Sequence, residues 1–306
     1  MLQISGVKNA KACATYTAGT IFPYKLILHL VGLLHKRGVN IQTHTPALEV
    51  VQEPSGELTV KTERGSIKAS KVVHATNAYV KTLLPEYAKS IIPCKGICTH
   101  IAVPEGKRAP FLTNSFIVRE VGDPSVLSYL IPRHDGGIIV GGASQIFRAH
   151  TDQWYNNTDD GCLIESAKSY YDNYMQNNFL GWESSEAFVK DIWSGVMGYS
   201  WDTNPHIGHV PSKPGQTILA GFNGHGMPVI WLAAKGLAEM IAGGKTFEEA
   251  RLPRLFKTTK ERLERARQGP EGGDIMPVVQ NFDSTDSTAL TSKVKLEATE
   301  VDAVST

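Results

Sequence analysis

Gln216-Thr217-Ile218-Leu219-Ala220-Gly221-Phe222-Asn223-Gly224-His225-Gly226-Met227-Pro228 reads as a short β-branched strand running into a loop with three glycines in six residues. The apolar segment Val229 to Ile241 that follows is rich in helix formers and is closed by Gly243-Gly244. Strand, glycine loop and helix is the predicted unit. Glycine lets backbone approach another group closely, and a helix start directs N–H groups and a partial positive charge toward the loop before it. An anion, or a ring that becomes anionic, suits such a place. An ordinary glycine-rich turn has the same spacing, and composition does not separate the two.

The whole chain sets the bounds. Its 306 residues suffice for a full core and ordinarily two domains. With 31 basic and 30 acidic residues and no single-sign stripe, neither nucleic acid nor a membrane surface is the expected partner, which leaves a small molecule. Cys13, Cys94, Cys98 and Cys162 lack metal-ligand spacing. His206 and His209 have no third ligand nearby, so no metal is expected. The N-terminus shows no charged start followed by an apolar run, and nowhere are there about 18 consecutive apolar residues. The expectation is a cytoplasmic protein with reduced thiols.

Outward from the loop, Pro23 to Lys36 has helical periodicity, with Leu26, Leu30, Leu33 and Leu34 on one face and Gly38 as its stop. Val39 to Thr43 alternates as a strand, and Leu48 to Val51 continues after Pro46. Leu58 to Thr62 and Ser66 to Ala69 flank Glu63-Arg64-Gly65 as a hairpin, and Lys71 to Ala75 is a further buried strand. Beyond Pro93, the segments Ile97–Val103, Ser115–Arg119, Ser128–Pro132 and Gly137–Gly142 are short strands between Pro, Gly and Asp turns, predicting a mostly antiparallel sheet. Cys162 to Asn178 reads as one helix with a tyrosine stripe that belongs to the core, and Phe188 to Trp193 as a strand. Ala266 to Thr306 has no apolar period and reads as a mobile tail.

Gly-Phe-Asn-Gly-His-Gly-Met at 221–227, followed by Ala-Lys-Gly-Leu-Ala at 234–238, resembles the C-terminal flavin loop of the D-amino acid oxidase-like family of FAD-dependent oxidoreductases. That family includes glycine and sarcosine oxidases and D-amino acid dehydrogenases. Trp193-Ser194-Gly195 and Asp202-Thr203-Asn204-Pro205-His206-Ile207-Gly208 resemble its usual lead-in, and Ala75-Thr76-Asn77-Ala78 its strand-end turn beside the cofactor. The fold implied is α/β (α+β): a partial FAD/NAD(P)-binding domain of the glutathione-reductase-like type with an inserted, mostly antiparallel substrate-binding sheet. The implied domains are 1–92, a partial FAD domain; 93–190, the substrate domain; 191–262, a return to the FAD domain; and 263–306, a disordered tail.

The resemblance implies that FAD is held by Ala75, Thr76, Asn77, Gly195, Gly221, Phe222, Asn223, Gly224, His225, Gly226 and Met227. It implies substrate contacts from His225, Tyr129 and Arg133, with a C–N bond of an amine or amino acid as the reacting group. Some relatives tether FAD through a cysteine where Met197 stands, so the cofactor is expected to be non-covalent. Pro228 holds the place of a carboxylate-binding lysine in sarcosine oxidases, which admits an amine without a carboxylate. The family's opening strand, G-x-G-x-x-G and helix, which hold the ADP half of FAD, have no counterpart in these residues. The reading is therefore of a truncated oxidoreductase. A non-catalytic remnant that serves as a binding module stays open beside it.

Overall fold

The computed structural model describes residues 5–120 and 126–268. It is a mixed α/β structure with antiparallel sheets, and it divides into two compact units. Among the described residues, one unit consists of 12–94 and 196–268, the other of 5–11, 95–120 and 126–195.

The first unit contains the glycine loop. Its helices are α1 (Pro23–Lys36), α2 (Met227–Gly243) and α3 (Lys260–Gln268). Strands β1 (Ala47–Gln52), β2 (Leu58–Thr62) and β3 (Gly65–Ala69) form an antiparallel meander. The β2–β3 register closes at Thr62 opposite Gly65, so Glu63 and Arg64 alone make the turn. A second sheet has the order β10 (His206–His209), β11 (Gln216–Ala220), β4 (Val72–His74), with β10–β11 antiparallel and β11–β4 parallel.

The central strand β11 is buried along most of its length, as its continuous apolar run requires when both faces are covered. On one face, Ile207 joins Phe222, Ala233, Leu237 and Met240 of the loop and α2, with Leu219 packed against them. On the other, Ile218 and Ala220 join Val80, Leu84, Tyr87, Ile91 and Leu263 of α3. Alternation along one strand thus fixes α2 on one side and α3 on the other. Helix α1 buries none of its residues, and Tyr24, Ile27 and Leu28 are more than half exposed.

The second unit is built on a five-stranded sheet of order β6 (Phe116–Arg119), β7 (Leu127–Pro132), β8 (Ile138–Gly142), β5 (Ile91–Ala102), β9 (Phe188–Ser200); β5 and β9 run on into the first unit. Ile97, Thr99 and Ile101 of β5 and Ser128 and Leu130 of β7 face the core, which leaves Cys98, His100 and Tyr129 on the other face.

Three expected elements differ. Val39 to Thr43 is not a strand, because alternation alone makes no ladder and these residues pair with no strand among the described residues. Cys162 to Asn178 is not one helix but a 3₁₀ segment, Glu165–Tyr171, and a short α-helix, Tyr174–Asn178, separated at Asn173, whose φ of 54° ends a continuous helix. Tyr171 and Tyr174 are core residues, buried to 1% and 4% exposure. The tail does not begin at 263: α3 runs to Gln268 with Leu263 and Ala266 buried, since this one turn has apolar residues three apart. Residues 269–306 of the expected tail lie outside the described residues. Strand β10 has no counterpart in the expected elements, since four residues between Pro205 and Val210 are too few for a period to show.

Two buried histidines in the first unit govern its response to acid. His74 lies 2.8 Å from the Gln216 side-chain oxygen across the β4–β11 pair, and burial pushes its pKa down from the ordinary 6.5. His206, fully buried, is pushed down by burial and then by the charge of Arg262. Both folded-state values lie below the unfolded value, so the unfolded chain binds more protons below about pH 6.5 and stability falls as pH drops. The expected loss is at most about 1.4 kcal/mol per pH unit for each imidazole. Melting temperature should hold steady from pH 8 to 7 and decline from about 6.5 to 5, less steeply in His206→Gln. A flat profile down to pH 5 would show that neither ring is held neutral by the fold.

Candidate functional site

The glycine loop is held by two asparagine side chains. Asn77, itself left-handed at φ 43°, accepts hydrogen bonds at Oδ1 from the backbone N–H of Gly221 (2.9 Å) and of Phe222 (3.2 Å). The turn at Ala75–Asn77 and the loop are thereby brought together. Asn223, φ 56° and 8% exposed, accepts from Ser200 N–H (2.8 Å) and donates from Nδ2 to the carbonyls of Thr203 (2.9 Å) and Gly221 (3.1 Å). Asparagine tolerates the left-handed region and presents a donor and an acceptor on one short side chain, which suits both positions.

The buried base of the loop is Gly221, Phe222 and Asn223; Gly224, His225 and Met227 are exposed above it. The α2 helix then starts with no side-chain cap and with Pro228 in its first turn. Ala75 and Thr76 are also exposed, and His74 behind them is buried.

Two of the glycines are required by packing. Gly221 has φ +78°, and a Cβ there would meet Ile91 at 3.1 Å. At Gly226 φ is an ordinary −70°, yet a Cβ would stand 2.7 Å from Cβ of Phe222, an atom too near the backbone to yield. A Cβ at Gly224 would meet the Tyr199 hydroxyl at 3.0 Å, the far end of a side chain rather than backbone. A Cβ at Gly198, in β9, would stand 2.9 Å from Ala78 N and 3.0 Å from Asn77 Oδ1, so this glycine too fits closely against the turn. Ser200, Asp202 and Gly198 complete this arrangement. Asp202 stood in a recognised motif, but Ser200 and Gly198 had no local signal to distinguish them.

The remaining expected site residues lie in the other unit, which is described by itself. Tyr129 sits on β7 with its ring over Gly141, where a Cβ would be 2.2 Å from the hydroxyl, and its oxygen is 2.7 Å from Cys98 Sγ. Burial raises the Cys98 thiol pKa while the bond with Tyr129 works against that rise. Arg133 follows β7 and pairs with Asp135 in the β7–β8 turn. Spacing of four along extended chain puts Tyr129 and Arg133 on one face. Gly195 in β9 is exposed, and a Cβ there would meet nothing within 4 Å. Among the described residues no group of three or more His, Cys, Asp or Glu side chains could hold a metal ion, no helix is long and apolar enough to cross a membrane, and no disulfide joins the four cysteines.

Residues 3–240 match the FAD dependent oxidoreductase family, and the chain belongs to that family. The probable oxidoreductase OrdL of Rhizobium meliloti is 24% identical over 228 residues, 74% of this chain and 48% of that protein. Glycine oxidase of Bacillus licheniformis is 24% identical over 211 residues, 67% of this chain and 50% of that protein. The crystal structure of glycine oxidase from Geobacillus kaustophilus shares the fold with a TM-score of 0.56 at 18% identity, over 72% of this chain and 54% of that one. The chain thus spans about half the length of these relatives.

The packing account of the loop predicts different costs for two exposed or half-exposed glycines. Gly226→Ala should destabilise the chain by roughly 1–3 kcal/mol through overpacking against Phe222. Gly195→Ala should stay within about 0.5 kcal/mol of the parent. Equal denaturation midpoints for the two variants would mean that Gly226 is not retained for this contact.

Proposed function

We propose, from its membership of the FAD-dependent oxidoreductase family, that this chain is the flavin-loop and substrate-sheet portion of an oxidoreductase acting on a C–N bond of an amine or amino acid. The observation that supports this most directly is the doubly clasped loop with its exposed rim. Asn77 and Asn223 fasten Gly221 to Asn223 from beneath, and Gly224, His225 and Met227 are exposed above them at an uncapped helix start, where a flat ligand could lie. The residues fit the flavin end of FAD: the α2 N-terminus would stabilise negative charge near N1 and the C2 carbonyl, and Ala75 and Thr76 are small enough to lie beside a ring. FAD, when bound, supplies the acceptor of a hydride at flavin N5.

The chain's own residues then bind and orient. In this reading His225 is the substrate residue of the loop's unit, and Tyr129 and Arg133 are candidate substrate residues of the other unit, taken by itself. Arg133 is partly neutralised by Asp135 and Pro228 adds no positive charge, so an amine lacking a carboxylate is admitted as readily as an amino acid. Met197 offers no thiolate for a covalent tether, hence non-covalent FAD. A cytoplasmic location belongs to the same reading.

No G-x-G-x-x-G occurs in the 306 residues, so the pyrophosphate and ribose find no cradle of that kind here. The open outer edge of β4, with Val73 at 45% exposure, and the unburied α1 favour a second reading, a remnant that binds another macromolecule. Titration with FAD followed by flavin fluorescence separates the two. The flavoenzyme reading expects weak, saturable binding that is lost in Gly226→Val, and no amine-dependent reduction of a dye acceptor by these residues alone. Absence of any binding at millimolar FAD would favour the remnant. Tight stoichiometric binding with turnover would show that the ADP half is held by other elements of the chain.

A further inference from the structure

We propose that Arg262 is a positioning residue for the glycine loop, reaching it from a helix beyond the family-matched residues, which end at 240. Its link to a cofactor rests on the flavin reading above; its link to the loop does not. Arg262 is 3% exposed and all five of its N–H donors are engaged. Nε donates to Asp202 Oδ2 at 2.6 Å and Nη2 to Asp202 Oδ1 at 2.7 Å, a bidentate pair. Nη2 also reaches the carbonyl of Asn204 at 2.5 Å, and Nη1 the carbonyls of Pro205 (3.0 Å) and Lys257 (3.3 Å). Asp202 Oδ1 further accepts from Ser200 Oγ (2.7 Å) and Asn204 N–H (3.3 Å).

The turn 200–205 is thus gripped from within by Arg262, and its outer groups are the ones Asn223 uses. Ser200 N–H and the Thr203 carbonyl are the partners of Asn223 outside the loop. A second observation shows that this turn needs a grip: Thr203 is β-branched yet sits at φ 63°. Such a residue in the left-handed region is strained and persists only where its surroundings enforce it. Release of Asp202 would let Thr203 relax, turn its carbonyl away from Asn223 and loosen the loop. Lysine at 262 keeps the charge but has three donors on one nitrogen, which cannot form the bidentate pair and reach three carbonyls as well.

The test is amide hydrogen exchange on the whole chain in Arg262→Lys, with Leu263→Ala as control. Leu263 lies on the same helix but packs into the Val80, Tyr87 and Ile218 cluster, so its truncation loosens α3 without touching the turn. At conditions chosen to match their melting temperatures, Arg262→Lys should raise exchange at least tenfold in peptides covering 200–205 and 221–226, and Leu263→Ala should not. Equal exchange at 221–226 in the two variants would overturn the proposal. Titration of both with FAD keeps the two readings apart. A looser loop with weaker FAD binding supports both, whereas a looser loop with unchanged FAD affinity leaves Arg262 as a positioning residue and removes the flavin from this loop.

Discussion

The side-chain amide of Asn223 is buried in a loop whose other members are mostly glycine, and three backbone groups depend on it: Ser200 N–H and the carbonyls of Thr203 and Gly221. Glycine-rich backbone has high conformational freedom, so a loop of this composition holds one shape only if something outside it fixes that shape. Asn223 does so from inside the loop and Asn77 from the neighbouring turn. Each hydrogen bond is worth only about 0.5–1.5 kcal/mol net, but leaving any of these buried groups unmet costs more than making it gains. The clasp therefore acts mainly by excluding alternatives. It links the end of β11, the turn after β4 and the segment before β10, the three strand ends at one end of the β10–β11–β4 sheet.

Much of this was legible because the relevant signals are local. Leu58 to Ala69 reads as a hairpin since its turn residues and alternation lie within twelve positions, and Pro23 to Lys36 reads as a helix since proline, leucine spacing and Gly38 all agree. The glycine loop was legible as a strand-to-helix connection with close packing. Hidden from sequence was what the glycines are close to: Gly226 is crowded by Phe222 within its own loop and Gly198 by the Asn77 turn more than a hundred residues earlier. Val39 to Thr43 misled because alternation states what a strand would look like and says nothing of a neighbour to pair with. Arg262 was invisible for a related reason, since an arginine in a short charged helix looks solvent-facing until Asp202, sixty residues away, is placed beside it.

The sheet face of the second unit has a different logic. Cys98, His100 and Tyr129 share its less buried side, and each is engaged within the unit: Cys98 with Tyr129, and His100 with Asp191 at 3.0 Å. Gly137 and Gly141 keep that side clear, because a Cβ at either would run into the His100 ring or the Tyr129 ring. Two glycines opposite two large polar rings make a surface whose relief is set by β8 as much as by the residues that protrude.

Charge around the loop follows from the same contacts. No acidic residue lies between Gly221 and Met227, and both clasps are neutral amides. The half-buried carboxylate of Asp202 is stabilised as the anion by Arg262 against the cost of desolvation, and the bidentate pair cancels its field at a distance. Behind it His206 is kept neutral, so no positive charge is stored there either. The polarity of the loop is then set by the N-terminus of α2, which favours negative charge. A buried ion pair in this place costs desolvation that an apolar pair of the same volume would avoid. Its retention is consistent with a requirement for a fixed turn without an added field, a combination that neither a lone charge nor a purely apolar contact provides.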